Sequence, residues 1–287
     1  MRVQRLHDDT RRSWVDPDQA RPVRVTVWGD TVWDDTAGGS APGSRPLTVL
    51  SHGTGGQALD LAWVAEALAA RGHVVVGIDH HGNTSTGPYL PEGFAFVWER
   101  PRDVSFVLDW AVEALHVDPA RISAVGFSLG GYTCAALAGA RIDATVLQAV
   151  MDRHVPMPPL PEMPDLLDQL SHRYPGPALA GVLAGAGESV ADARVSRIVM
   201  LAPSLGALMT DQSLEAVSVP ALVMWGDADA EAEPVSNAQR YASLIPGAQG
   251  ASRGADVEHY WWLADHPSGE SLRHAVAPEI VDFLNRS

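Results

Sequence analysis

The chain has 287 residues and a formal net charge of −15, with 46% apolar and 19% charged residues: a globular composition, and too acidic for a nucleic-acid partner, whose phosphates it would repel. All 20 of its basic residues are arginines, which excludes a Ser–Lys dyad, Schiff-base chemistry and a phosphate-loop lysine. Its one cysteine, Cys134, excludes an intramolecular disulfide and a thiolate metal cage.

The opening MRVQRLHDDTRRSWVD has no apolar leader core, and no later run approaches membrane-spanning length. With a lone cysteine, the expected setting is a reducing compartment, the cytoplasm. RPVRVTVWGD (21–30) alternates β-branched residues and reads as an early strand, followed by a polar Gly- and Pro-rich loop at 34–45. PLTVLSHGTGG (46–56) reads as a buried strand entering a glycine-rich turn. ALDLAWVAEALAARG (58–72) is a helix stopped at Gly72. HVVVGIDHHGNTS (73–85) is a second buried strand with a polar loop, and 100–118 an amphipathic helix whose Val104, Val107, Leu108, Ala111, Val112 and Leu115 share a face. RISAVGFS is the next strand and LGGYTCAALAGA the next helix.

From about 143 to 195 the rhythm fails in a proline-rich, irregular segment, expected to be an insertion capping a site. Strands resume at 197–204, 219–229 and about 248–252, with helices at 233–245 and 277–286. Strands alternating with helices of this length imply one α/β domain over 1–287, built on a mostly parallel sheet with helices on both faces.

In GFSLG, Ser128 stands where a strand must reverse sharply into a helix. Gly126 and Gly130 remove Cβ atoms that would collide there, and small residues after the serine let the helix approach the sheet. This is the pattern of a nucleophile elbow. A serine hydroxyl needs a base, the base an orienting carboxylate, and the developing oxyanion backbone donors. The glycine-rich SHGTGG offers the amide of Thr54, and the elbow offers that of Leu129. Asp229 is the favoured acid, with Asp227 its local rival. His259 is the favoured base over His266, which precedes Pro267, and His274, which falls in a helical segment. Trp98, Trp225, Tyr260, Trp261 and Trp262 are candidates for a pocket wall or for core.

SHGTGG, ALAARGHVVVGIDHHGNTS, ERPRDVSFVLDW, DPARISAVGFSLGGYT, LAPSLG, VPALVMWGDADAEAEP and EHYWWL together resemble the α/β-hydrolase superfamily. Among its members they are most similar to the bacterial dienelactone-hydrolase-like group related to platelet-activating-factor acetylhydrolase, and to cutinase-type polyester hydrolases. In the acetylhydrolases the acid follows the strand after the nucleophile helix, where this chain has Ala202. Asp152, after ATVLQAVMD, is an alternative acid, whereas the polyester-hydrolase arrangement suits Asp229. The resemblance implies that His80 and His81 line a pocket rim; as neighbours in an extended segment they make a poor metal site. The resulting expectation is a serine hydrolase acting on a small to medium, mostly apolar carboxylic ester. It uses Ser128, His259 and Asp229 with no metal or organic cofactor, and has no nucleic-acid partner and no membrane span. The alternatives are an acyltransferase, isomerase or lyase on the same fold, or a ligand-binding pseudoenzyme.

Overall fold

The computed structural model of the chain describes residues 1–29, 45–157 and 160–286; the loop expected at 34–45 lies outside them except for Arg45. Eight strands form one sheet: β1 (Arg2–Arg12), β2 (Ala20–Trp28), β3 (Arg45–Ser51), β4 (Val74–Asp79), β5 (Val117–Phe127), β6 (Val195–Leu201), β7 (Ala221–Trp225) and β8 (Gln249–Ser252). Their spatial order is β1-β2-β4-β3-β5-β6-β7-β8. β2 runs antiparallel to both β1 and β4, and all the other neighbours are parallel. Ten helices complete the described residues: α1 (Ala62–Ala69), α2 (Pro91–Ala95), α3 (Glu99–Ala114), α4 (Leu129–Leu137), α5 (Ala144–Met151), α6 (Leu166–Arg173), α7 (Pro177–Leu183), α8 (Asp211–Glu215), α9 (Ala238–Leu244) and α10 (Glu270–Asn285).

The sheet is covered on both sides, which explains why its central strands are continuous apolar runs. Successive residues divide between two cores, as a period of two requires. Val49 and Ala124 pack with Val104, Val107 and Leu108 of α3, Ala135 and Ala136 of α4 and Tyr241 of α9. Leu50 and Val125 pack with Val64 and Leu68 of α1 and Val276, Ile280 and Phe283 of α10. Among the described residues no helix is long and apolar enough to cross a membrane.

Three elements depart from the sequence expectations. β1 was not expected, because its residues alternate between charged and polar side chains and only Leu6 and Asp8 are buried. It is a sheet-edge strand, where charge protects against edge pairing and hides the strand signal. α10 begins at Glu270 rather than near 277, with Pro278 inside it; proline is favoured in a first helical turn and so suggested a later start. The segment 143–195 is not irregular throughout but carries α5, α6 and α7. Leu147, Met163, Leu166, Leu170 and Leu183 anchor it to the same core as α3 and α4. Its Tyr174 lies edge-on to Phe96 at 5.5 Å and donates to Glu92 Oε1 at 2.9 Å, while Arg173 pairs with Glu92.

A buried polar network joins the N-terminal hairpin to α3. Arg21 grips Asp103 with Nε at 2.7 Å and Nη2 at 3.1 Å, and Arg11 Nη2 reaches the same carboxylate at 2.8 Å. Burial opposes ionisation of Asp103, yet Arg21 and Arg11 hold its carboxyl well below the usual range. His80 and His81 belong to this interior and not to a pocket rim: His80 faces Asp103 and Ser51, and His81 stacks on Trp14 at 5.3 Å and accepts the Trp14 N–H at 3.1 Å. Both are buried, because β4 ends beneath the hairpin that the sequence did not reveal.

Burial and Arg100 lower His80 to about 3, with Asp103 opposing and Arg21 assisting; burial and Arg21 lower His81 to about 4. His52 and His73 are also lowered, chiefly by burial. Below the unfolded value of about 6.5 the unfolded chain therefore binds protons that the folded chain refuses, and stability falls as pH falls. Asp60, raised to about 6 by burial, acts in the opposite sense, as one carboxyl against four imidazoles. Urea unfolding at pH 7 and at pH 4.5 should show a clear loss at the lower pH, and His81→Gln should flatten the slope by up to about 1.4 kcal/mol per pH unit. Equal stability at the two pH values would contradict the neutral buried histidines.

Candidate active site

Ser128 connects β5 directly to α4 with φ 52° and ψ −117°, a region that L-residues rarely occupy. Its neighbours explain how the turn is accommodated. A Cβ on Gly126 would land on the Gly130 carbonyl, and one on Gly130 would land on the carbonyl of Ser51 in β3. The Ser128 N–H donates to Leu201 O at 2.9 Å, while its carbonyl accepts from Gly131 N at 2.8 Å and Ser204 N at 3.1 Å. The serine is thus pinned between the ends of β5 and β6.

The structure brings three of the expected residues together. His259 Nε2 lies 3.0 Å from Ser128 Oγ, and His259 Nδ1 lies 2.7 Å from Asp229 Oδ2. All three are nearly inaccessible, at 8%, 5% and 3% exposure for Ser128, His259 and Asp229. Asp229 sits in the turn after β7, where its Oδ1 accepts the Glu231 N–H at 3.0 Å and the Ala232 N–H at 2.8 Å. One oxygen is therefore tied to backbone and the other left for the imidazole. Asp229 accepts, so Nδ1 carries the proton and Nε2 presents a lone pair to the serine hydroxyl. Phe127 packs on the imidazole with ring centroids 4.8 Å apart, and Tyr260 meets it edge-on at 5.3 Å. The arrangement can move a proton from Oγ to Nε2 and hold the resulting imidazolium against a carboxylate.

The rivals are elsewhere. Asp227 accepts the Trp225 indole N–H at 3.1 Å. Asp152 caps the exposed end of α5, where it accepts from Gln148 at 3.0 Å. Ala202 follows β6 with φ 43° and offers no carboxylate. His266 precedes the turn before α10, and His274 lies within that helix. Of the aromatic candidates, Trp98, Trp225 and Trp262 are core and Trp261 is half-buried, which leaves Tyr260 beside the imidazole.

The glycine loop after β3 stands against the serine: a Cβ on Gly53 would lie 3.3 Å from Ser128 Cβ. Its backbone is held at nearly every unit. His52 Nδ1 donates to Gly53 O at 2.6 Å, its Nε2 accepts the His80 N–H at 3.2 Å, and Gly56 N–H also reaches Gly53 O at 3.3 Å. Because the Gly53–Thr54 peptide is planar and trans, fixing that carbonyl fixes the opposite direction of the Thr54 N–H. Asn83 Oδ1 accepts the Gly55 N–H at 2.7 Å, and Tyr89 donates to Gly55 O at 2.8 Å. The Leu129 N–H, first in α4, has no intrahelical acceptor. Sequence reasoning missed Asn83, Tyr89 and Arg100 as partners of this loop; as one polar letter in a loop, one aromatic and one arginine in a helix, they carried no spacing signal. Glu162 from the 143–195 segment also reaches the loop, 3.2 Å from where a Gly55 Cβ would stand. Among the described residues no group of three or more His, Cys, Asp or Glu side chains could hold a metal.

The family model for the alpha/beta hydrolase fold matches residues 46–196. By sequence, no curated protein matches the chain. By fold, the chain is similar to Est1E of Butyrivibrio proteoclasticus, solved with ferulic acid, at TM-score 0.55 and 14% identity over 92% of this chain and 96% of that one. It is also similar to a ferulic acid esterase from Streptomyces cinnamoneus, at TM-score 0.61 and 18% identity over 99% of this chain and 88% of that one. A Mycobacterium tuberculosis puromycin-hydrolyzing peptidase gives TM-score 0.60 and 13% identity over 99% of this chain and 38% of that one.

The close backbone approach at the elbow is directly testable. Gly130→Ala should cost at least about 2 kcal/mol of stability, because its Cβ meets rigid sheet backbone rather than a movable side chain. Wild-type melting behaviour in that variant would contradict the packing of α4 on β3.

Proposed function

Since the chain belongs to the α/β-hydrolase family, we propose that it is a serine hydrolase that cleaves carboxylic esters through an acyl-enzyme. The observation that carries this reading is the continuous pair of contacts Ser128 Oγ–His259 Nε2, 3.0 Å, and His259 Nδ1–Asp229 Oδ2, 2.7 Å. Ser128 Oγ attacks the ester carbonyl carbon as His259 Nε2 takes its proton, and Asp229 stabilises the imidazolium. The carbonyl electrons move onto oxygen, and the resulting oxyanion accepts hydrogen bonds from the Thr54 and Leu129 N–H groups. The amides are the donors whose loss in comparable sites costs roughly 3 kcal/mol each. Collapse expels the alkoxide, which takes the proton from His259. Water then repeats the sequence on the acyl-enzyme and frees the acid and Ser128. None of these steps calls for a metal or an organic cofactor.

The substrate proposed is a small to medium, mostly apolar ester. The segment 143–195, which in this reading is a cap within a single domain, is rich in apolar side chains, chiefly Ala, Leu, Pro and Val, and its Glu162 stands beside the glycine loop. An ester rather than an amide is favoured by the name of one similar fold, the ferulic acid esterase from Streptomyces cinnamoneus, and by the ferulic acid bound to another, Est1E.

A fluorophosphonate should add one phosphonyl group per chain, on Ser128, and the adduct should be absent in Ser128→Ala; a folded chain that takes no label would contradict the reading. With p-nitrophenyl acetate, Asp229→Asn should lower kcat by about 10⁴-fold, whereas Asp152→Asn and Asp227→Asn should stay within a few-fold of wild type. The reverse ranking would remove Asp229 as the acid.

A further inference from the structure

Arg100, in the first turn of α3, is almost completely buried, yet all four acceptors that it contacts are uncharged. Its Nη2 donates to His52 O and, at 3.3 Å, to Ser51 Oγ; Nη1 donates to Asn83 Oδ1 at 3.3 Å; and Nε donates to Thr133 Oγ1 at 3.3 Å. Glu99, its neighbour in sequence, is taken by Arg11 and Arg102, and Asp103, one helical turn on, is already engaged by Arg21, Arg11 and His80. An arginine kept only for stability would be expected against a carboxylate, since a buried cation without one is costly. Here the whole donor fork is spent on backbone and neutral side chains around the serine.

Those acceptors have a common consequence. His52 O belongs to the peptide that precedes Gly53, and Asn83 holds Gly55 N–H at 2.7 Å, so the fork grips the loop on both sides of Thr54. Thr133 donates to Leu129 O at 3.1 Å, so the same fork grips the first turn of α4. We propose that Arg100 is a positioning residue: its guanidinium sets the relative placement of the Thr54 and Leu129 amides, and so the geometry of the site that receives the oxyanion. This rests on the ester-hydrolase reading above and adds to it a residue that never touches substrate. The planar fork, not the charge alone, does the spanning, so lysine should be a poor substitute.

The test compares wild type, Arg100→Met, Arg100→Lys and Thr133→Val. Each is assayed for kcat and KM with p-nitrophenyl acetate and for affinity toward an alkyl trifluoromethyl ketone. In the ketone adduct Ser128 Oγ bonds to the carbonyl carbon, its proton passes to His259 Nε2, and the C=O electrons become an oxyanion. Arg100→Met and Arg100→Lys should each lose kcat by about 10²-fold, with KM within about twofold and ketone affinity falling in step with kcat. Thr133→Val, nearly isosteric and the mildest of the three changes, loses the hydroxyl that accepts from Arg100 Nε and donates to Leu129 O, and should show the same split at about fivefold or more; it carries the test if the Arg100 variants do not fold. Wild-type kcat and ketone affinity in Thr133→Val, recovery of kcat by Arg100→Lys, or a loss confined to KM would each overturn the proposal. A wild-type chain that neither turns over the ester nor binds the ketone would instead overturn the functional reading.

Discussion

The backbone of Ser128, held at φ 52° between a buried strand and a buried helix, costs about 1–3 kcal/mol relative to a relaxed residue. It persists because everything around it is already committed. β5 is locked between β3 and β6, α4 is buried along its length, and Gly126 and Gly130 remove Cβ atoms that would land on neighbouring carbonyls. The Ser128 amide is then satisfied by Leu201 at the end of β6 and its carbonyl by α4 and Ser204. Strain at one residue is in this way offset by the hydrogen bonding and packing of three parallel strands. The return is a hydroxyl fixed at the carboxyl edge of the sheet, 3.0 Å from an imidazole.

The other two side chains reach that edge by different physics. Asp229 is set by a tight turn that uses one carboxylate oxygen for backbone amides, which leaves the second in a single direction. His259 is set by packing, on Phe127 from the elbow strand and edge-on to Tyr260. Behind them stands a polar interior. His52, His80, Asn83 and Arg100 hold the glycine loop, and Asp103 binds the arginines of the N-terminal hairpin to α3. The β1–β2 hairpin, remote from Ser128 in the sheet order, is thereby coupled through Asp103 and His80 to the Ser51 hydroxyl beside the site.

Much of this was legible in the order of residues. The apolar runs, the elbow GFSLG and the glycines of SHGTGG each follow from steric rules that act over a few residues, and such rules can be read locally. The parallel sheet and its two-sided cover followed from the same rhythm. What escaped depended on tertiary placement. β1 looks polar because it needs to bury only one side at a sheet edge. His80 and His81 seemed to belong to an open loop because nothing in DHHGN announces the hairpin that covers them. Arg100 reads as one more arginine on a helix; only the fold shows that its side chain enters the interior. The choice between Asp229 and Asp152 likewise turned on whether 144–151 was strand or helix, and its apolar run allowed both. The structure makes it a helix whose Asp143 caps the first turn, with Asp152 at the exposed far end.

The central claim is that Ser128 and His259 act as one unit on an ester, and a double-variant cycle addresses it most directly. Turnover of p-nitrophenyl acetate is compared for Ser128→Ala, His259→Ala and the chain carrying both changes, with folding verified for each. Groups that act in a single proton-transfer step lose their contribution together, so the account predicts that all three variants fall to the same residual rate. Losses that multiply in the double variant, or a Ser128→Ala chain that retains the wild-type rate, would contradict it.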